Sequence, residues 1–111
     1  MFYNPPTTEV FYKTESYTLN EGDHGNVVTF NSPVTVICSI PKGLRIGFSC
    51  TIVQEGAGKA TFAALGSGNQ INAGAAGVET KGSFSWAKVL CIGEGYYTVD
   101  YGADGGGGTP G

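Results

Sequence analysis

The chain has 111 residues, which fits a single domain, and a net charge of −3 with only 14% charged residues. Its six basic residues are scattered, so the concentrated positive patch that DNA or RNA binding needs is absent and no nucleic-acid partner is expected. No run is long enough to cross a bilayer and no signal peptide begins the chain, so the sequence predicts a soluble protein without a membrane partner.

Residues 1–15 differ in composition from the rest of the chain. Paired prolines block regular strand pairing, and aromatic residues surround them, so this stretch is predicted to be an extended N-terminal arm. An extended arm gains order most readily by lying on another surface. Its candidate partner-binding residues are Phe2, Tyr3, Pro5, Pro6, Phe11 and Tyr12.

From residue 17 onward the pattern is that of short strands separated by glycine- and proline-containing turns. Strands are predicted at residues 17–19, 27–30, 34–40, 48–52 and 60–63, around Ile71, and at 84–92 and 96–101. The first two are predicted to pair as a hairpin across the turn at 21–25, and the last two across 93–95.

The stretch "QEGAGKATF", residues 54–62, contains a Gly-Lys pair and invites comparison with a phosphate-binding loop. Such a loop needs a glycine where this chain has Val53, a hydroxyl residue where it has Ala60, and a following helix where this chain has a β-type run. The stretch is therefore interpreted as a glycine-rich turn between two strands.

The run from 84 to 92 is predicted to be the main core strand. Its large apolar residues Phe84, Trp86, Leu90 and Ile92 share one parity, and small or polar residues lie on the other parity in its first half. This parity predicts that the large residues face the core.

Together these elements predict an all-β domain at residues 16–103, built as an antiparallel β-sandwich or flattened, jelly-roll-like barrel of about eight or nine short strands. Residues 104–111 are predicted to be a glycine-rich tail, ordered only against a partner because glycine backbone is costly to fix. Its candidate partner-binding residues are Gly105, Gly106, Gly107, Gly108 and Pro110.

The three cysteines, Cys38, Cys50 and Cys91, are odd in number, widely spaced and set in apolar runs. We interpret them as free, buried thiols, with a Cys38–Cys50 bridge as the alternative.

No pattern for catalysis, a metal or a cofactor stands out, so we expect none of these. The single histidine, His24, follows Asp23 in a glycine-rich turn, and we interpret the two as a solvated turn pair. Ligand spacing for zinc or calcium is missing. Tyr96, Tyr97 and Tyr101 either form a sugar-stacking platform or pack across strands.

Residues 17–103 resemble a small β module that recurs in structural proteins of tailed bacteriophages. The matching pieces are "YTL", "DHGNVVTFNS", "VTVICSIPKGL", "GFSCTIVQEGAGKATF" and "LCIGEGYYTVDYGAD". The central piece carries most of the resemblance, because its order is Gly-Phe, then Gln-x-Gly-Ala-Gly, then Thr-Phe.

This resemblance implies a structural protein of the virion. The first expectation is a capsid decoration, or cement, protein that binds the major capsid protein outside the head and bridges neighbouring capsomers. The chain would be made in the bacterial cytoplasm and would associate with itself as a homotrimer. The alternative is a tail-fibre or head-fibre module that binds a host-surface glycan.

Overall fold

The computed structural model describes residues 8–75 and 77–101. This part of the chain is all-β, as predicted, and contains nine strands and two short 3-10 helices. The strands are β1 (Val10–Lys13), β2 (Tyr17–Thr18), β3 (Val27–Phe30), β4 (Val36–Ile40), β5 (Ser49–Gln54), β6 (Ala60–Ala64), β7 (Gln70–Ile71), β8 (Trp86–Gly93) and β9 (Tyr96–Tyr101). The helices span Glu21–Asp23 and Asn72–Gly74. Within the described ranges, no helix has the length and apolar character that crossing a membrane requires.

The first six strands wind into a short β-solenoid of about three coils. Odd strands β1, β3 and β5 pair in parallel in one sheet, and even strands β2, β4 and β6 pair in parallel in the other. Val27 is in register with Thr51 and Val36 with Ala60, so both strands of the second coil are 24 positions from their partners in the third. Each coil therefore contributes one strand to each sheet.

Strands β7, β8 and β9 extend the first sheet beyond the third coil. β8 pairs antiparallel with β5, β9 pairs antiparallel with β8, and β7 pairs in parallel with β9, which gives a six-stranded sheet in the order β1-β3-β5-β8-β9-β7. On the three-stranded sheet, Thr61 of β6 forms an antiparallel bridge with Glu79. Both strands of the third coil thus have a neighbour on their outer edge.

The core lies between the two sheets, inside the coils. It is filled by alternate residues of the strands, as the period of two in the sequence predicts. The apolar residues with no measurable exposure are Val28, Phe30, Cys38, Ile40, Phe48, Ile52, Ala60, Ala87 and Val89.

A buried polar network fixes the glycine-rich turn between β5 and β6. Gln54 accepts a hydrogen bond from the Thr80 hydroxyl at 2.6 Å and donates one to the Gly56 carbonyl at 3.0 Å. The Thr80 oxygen in turn accepts from the Ala60 amide at 2.9 Å. The predicted turn between strands at 54–62 is confirmed, although the strands it joins lie in different sheets.

The predicted antiparallel sandwich or flattened barrel is wrong, because five of the seven strand pairings are parallel and the strands follow a coil. The predicted hairpin of residues 17–19 with 27–30 is also wrong, since β2 and β3 belong to different sheets. Alternation shows that a strand has one buried face but not the direction of its neighbour. The hairpin across 93–95 is confirmed by the antiparallel β8–β9 pair.

Part of the predicted N-terminal arm is a strand of the solenoid. β1 is in register with β3 along its whole length, from Val10 opposite Val27 to Lys13 opposite Phe30. The Lys13 ammonium lies 4.2 Å from the centre of the Tyr17 ring, a cation–π contact at this end of the solenoid.

Candidate functional site

Two residues of the predicted partner-binding set lie in the described part of the chain, and they face in opposite directions. Phe11 is half-buried and packs against the core, whereas Tyr12 is 73% exposed on the outer face of β1. Phe11 therefore contributes to the fold, and Tyr12 is accessible to a partner. The other predicted residues lie outside the described residues: Phe2, Tyr3, Pro5, Pro6, Gly105, Gly106, Gly107, Gly108 and Pro110.

Asp23 and His24 hold the local structure of their turn, so the solvated pair predicted from the sequence is wrong. The Asp23 carboxylate is buried and accepts hydrogen bonds from the Tyr17 hydroxyl at 3.0 and 3.1 Å and from the Asn20 amide at 2.9 Å. His24 Nδ1 accepts a hydrogen bond from the Ser49 amide at 3.1 Å. These groups tie the turn between β2 and β3 to the start of β5.

The three thiols are free and buried, as predicted. Burial, followed by the nearby Cys50 and Asp23, raises the pKa of the Cys38 thiol. Burial and the Asp23 charge raise the pKa of Cys50 to about 12. Because the thiolate is the reactive form, these two groups are held unreactive at neutral pH. No group of three or more His, Cys, Asp or Glu side chains among the described residues could hold a metal ion.

The three tyrosines near the C-terminus do not form a common surface. Tyr97 is buried, and its hydroxyl donates a hydrogen bond to the Pro41 carbonyl at 2.8 Å. Tyr101 packs against the core and its hydroxyl accepts a hydrogen bond from the Glu79 amide at 3.2 Å. Of the three, Tyr96 is the exposed one, at 52%.

The most distinctive surface feature is a set of exposed apolar side chains, three on the outer face of β8 (Trp86, Leu90 and Ile92) and one in the turn just before it (Phe84). Phe84 is 76% exposed, Trp86 44% and Ile92 57%, and Leu90 is half-buried. We call these four residues, with Lys88 between them, the β8 stripe. The prediction that the large residues face the core is wrong: the core side of β8 carries Ala87, Val89 and Cys91 instead.

β8 is thus apolar on both faces. A strand with apolar residues on both faces is typical of a sheet that is covered on both sides. In the described structure only one of these faces is covered, by the core. The apolar side chains of the β8 stripe are therefore exposed to solvent, although side chains of this kind are usually found in a protein core.

The backbone at the start of the stripe is strained. Phe84 has a φ of 63°, in the left-handed region that bulky residues rarely occupy. Such a conformation costs about 1–3 kcal/mol, and the exposed ring recovers little of that cost through contacts within the chain. Residues held in this way cluster at binding sites, which supports a role for the ring outside this chain.

A lysine lies at the middle of the stripe, and an aspartate lies beside it on the neighbouring strand. Lys88 of β8 is in register with Asp100 of β9, and both are exposed. Neither side chain has a salt-bridge partner among the described residues. Beside Lys88 is a shallow depression of about 220 Å³ with a mainly polar lining, formed by Thr8, Gly25, Asn26, Val27, Ser49, Cys50, Thr51 and Lys88.

An apolar row with one cation and one neighbouring anion suits contact with another polypeptide. Apolar rings and aliphatic chains supply the burial, and the charges restrict how the partner can be oriented. The sequence contained the signal for this surface, because residues 84–92 have apolar residues at both parities. The parity argument assigned the larger set to the core and therefore missed it.

Comparison with protein-family models, with curated proteins and with solved structures finds no match for this chain.

Proposed function

We propose that this protein is a structural component of a larger protein assembly, and specifically a capsid decoration protein on the outside of a tailed-bacteriophage head. The observation that carries the proposal is the β8 stripe. Its apolar side chains are exposed on a domain whose own core is already filled.

The size of the exposed apolar surface supports an interface. The four apolar side chains of the stripe and Tyr96 together expose on the order of 400 Å², judged from the area that such side chains bury. This is within the range of the largest patch on a typical monomer, about 300–600 Å², which is often functional. An assembly component gains stability by covering such a patch.

The assignment to a phage head depends on the resemblance of residues 17–103 to the phage β module. In this role the arm residues that precede β1, together with the tail, contact the major capsid protein and bridge neighbouring capsomers on the outer surface. The protein is made in the bacterial cytoplasm. A ligand that binds the assembled shell but not its separate parts stabilises the shell by mass action, and several weak contacts combine as avidity.

A second candidate is a fibre module that binds a glycan of the host surface. The exposed rings of Phe84 and Trp86 favour it, because flat aromatic faces present apolar surface against which a sugar ring can stack. The strained backbone at Phe84 is compatible with either candidate.

The copy number of the protein in purified virions tests the proposal. Quantitative mass spectrometry against the major capsid protein should give on the order of hundreds of copies per particle, as expected for a decoration protein bound across a capsid lattice. A handful of copies would instead support the fibre module. If the protein is missing from virions produced by cells that express it, the proposed function is wrong.

A further inference from the structure

We infer that the free edge of β1 pairs with the β1 edge of a second copy of this chain, as two antiparallel strands related by a two-fold axis. The axis is perpendicular to the six-stranded sheet, so the two edges meet side by side and the sheet continues from one copy into the other. This inference goes beyond the proposed function and does not rest on it.

The two ends of the solenoid differ in how their strand edges are covered. At the third coil, β8 pairs with β5, and Glu79 forms a bridge with Thr61 of β6. At the first coil, β1 is the outermost strand of its sheet and pairs only with β3 within the described structure. Solenoids usually have a cap at each end, because an uncovered edge can pair with another chain. A strand added to β1 supplies the cap of the first coil.

The backbone of β1 has hydrogen-bonding groups directed to the free edge. The carbonyl oxygens of Glu9 and Lys13 each accept a hydrogen bond of 2.9 Å, from the first amide of β3 and from the amide just after β3. Alternate residues direct these groups to opposite sides of a strand, so Val10 and Tyr12 direct theirs away from β3. With Val10 opposite Tyr12 of the second copy, the two residues exchange both hydrogen bonds, and the axis repeats the pair.

The side chains of β1 match one another in this register. Val10 and Tyr12 are exposed on the outer face, so each copy sets an aliphatic residue beside an aromatic ring of the other. Such cross-strand pairs stabilise antiparallel strands. On the core side, Phe11 lies at the axis, opposite Phe11 of the second copy. These two half-buried rings then pack together at the open end of the two cores.

Charge complementarity selects this register and names a second copy as the partner. Glu9 is exposed and has no salt-bridge partner among the described residues, and the register sets it opposite Lys13 of the other copy. Moving the axis by one residue to Tyr12 sets Glu9 opposite Glu15 instead, and moving it the other way sets Glu9 opposite Phe11. Opposite charges directly across an antiparallel pair are favourable and like charges are not. The charges therefore favour the register centred on Phe11.

Pairing of this kind ends with two copies. A strand edge takes one neighbour, and an isologous contact around a two-fold axis is closed. The other edge of the same sheet is β7, which has only two residues, Gln70–Ile71, and offers little for head-to-tail pairing with β1. The homotrimer expected from the phage resemblance would need a different contact.

The mass in solution is the first test. Sedimentation of the full chain should give twice the chain mass of 11.5 kDa. Tyr12→Pro removes the outward amide as well as the ring and should weaken dimerisation by about 100-fold or more, although a proline is tolerated at a free edge. Trp86→Ser removes an exposed ring from the same face of the sheet, away from the β1 edge, and should leave the dimer intact. Thermal unfolding checks that each variant folds.

Cross-linking tests the register. Residues opposite each other at the axis have Cα atoms about 4.5 Å apart in a pair that exchanges no hydrogen bonds, and a disulfide can span that distance. Phe11→Cys should therefore give a disulfide-linked dimer under mild oxidation. Val10→Cys should not, because the two Val10 positions are about 8 Å apart in this register. The native thiols are buried and do not compete.

A charge exchange tests the pairing without removing apolar groups. Glu9→Lys and Lys13→Glu should each weaken dimerisation about tenfold, because each variant sets like charges opposite one another. An equimolar mixture of the two should form a heterodimer at wild-type strength, since both crossed pairs again have opposite signs. A monomeric or trimeric wild-type protein, a mixture that does not regain association, or equal cross-linking of the two cysteine variants would overturn the inference. A monomer that is abundant in virions would overturn it and leave the proposed function standing.

Discussion

Gly58 lies directly against the backbone of Val34, one coil of the solenoid earlier in the chain. Its amide donates a hydrogen bond of 2.8 Å to the Ser32 carbonyl, and a Cβ at this position would overlap the Val34 carbonyl. The turn between β5 and β6 therefore stacks on the turn between β3 and β4. The glycines of "QEGAGKATF" allow two backbones to approach, which is a different use from a phosphate-binding loop.

Gly58→Ala is predicted to destabilise the fold by about 2–3 kcal/mol, because the added methyl group forces two coils apart. Urea unfolding followed by circular dichroism measures the change. Gly82→Ala is the matched control: a Cβ there meets nothing within 4 Å and its φ is outside the left-handed region, so the change should be about 0.5 kcal/mol or less. Equal effects of the two variants would argue against close stacking of the turns.

Thr80→Val should cost about 2 kcal/mol, because the isosteric change leaves the Ala60 backbone amide and the side-chain oxygen Oε1 of Gln54 buried without this partner. Thr61→Val is the control, since Thr61 is a half-buried threonine on the outer face of β6. Denaturant titration of both proteins should show a lower midpoint for the Thr80 variant alone. A Thr80 variant as stable as the wild type would show that this network does not hold the turn.

The thiols are predicted to be protected in the folded state. Because Cys38, Cys50 and Cys91 are buried, and burial raises the pKa of Cys50 to about 12, none should react with an aromatic disulfide reagent at neutral pH. All three should react after unfolding without a reducing agent. A chain lighter by two hydrogen atoms in intact-mass measurements would reveal a disulfide and contradict this prediction.

The free energy of unfolding should fall at alkaline pH, in part because the Tyr17 hydroxyl ionises. Burial, and then the hydrogen bond to Asp23 and the charge of that carboxylate, raise the pKa of Tyr17 above its usual value of 10.0. As the pH rises, the unfolded chain therefore loses the Tyr17 proton before the folded chain does. The contribution of this proton to the free energy of unfolding is complete below pH 10 and is lost as the pH rises through the higher folded-state pKa.

Tyr17→Phe tests this dependence. It should lower stability by about 1–2 kcal/mol at pH 7, because the buried Asp23 loses a donor. The gap between the two proteins should narrow above pH 10, where the wild type loses its contribution. Unfolding free energies measured at both pH values give the comparison, and a constant gap would exclude a role for the Tyr17 proton.

The sequence located the strands well and their partners poorly. Strands such as β5 alternate apolar and hydroxyl residues, and this period is visible in the chain alone. Whether β3 pairs with β2 as a hairpin or with β5 as a coil depends on the path of the connections. Both paths bury Val28 and Phe30, so the pattern could not separate them.

The candidate site was missed because both faces of β8 are apolar, and parity alone does not say which of the two faces the core. Residue size favoured Trp86 and Leu90 as core residues over Ala87 and Val89. In the fold, Ala87 is in register with the buried Ile52 of β5, and the smaller residues occupy the interior of the third coil. The size of an apolar side chain indicates that it is buried in the final assembly. It does not indicate whether the core of its own chain or a partner protein buries it.

The fluorescence of Trp86, the single tryptophan of the chain, tests most directly whether the β8 stripe is covered. Emission and acrylamide quenching should be measured with and without purified empty phage heads, with Ile92→Ser as the reference for a stripe that binds weakly. As the wild type binds the heads, the emission should move to shorter wavelength and quenching should weaken, while the variant keeps the emission of a solvated indole. Wild-type quenching that is undiminished by the heads would contradict burial of the stripe in the assembly.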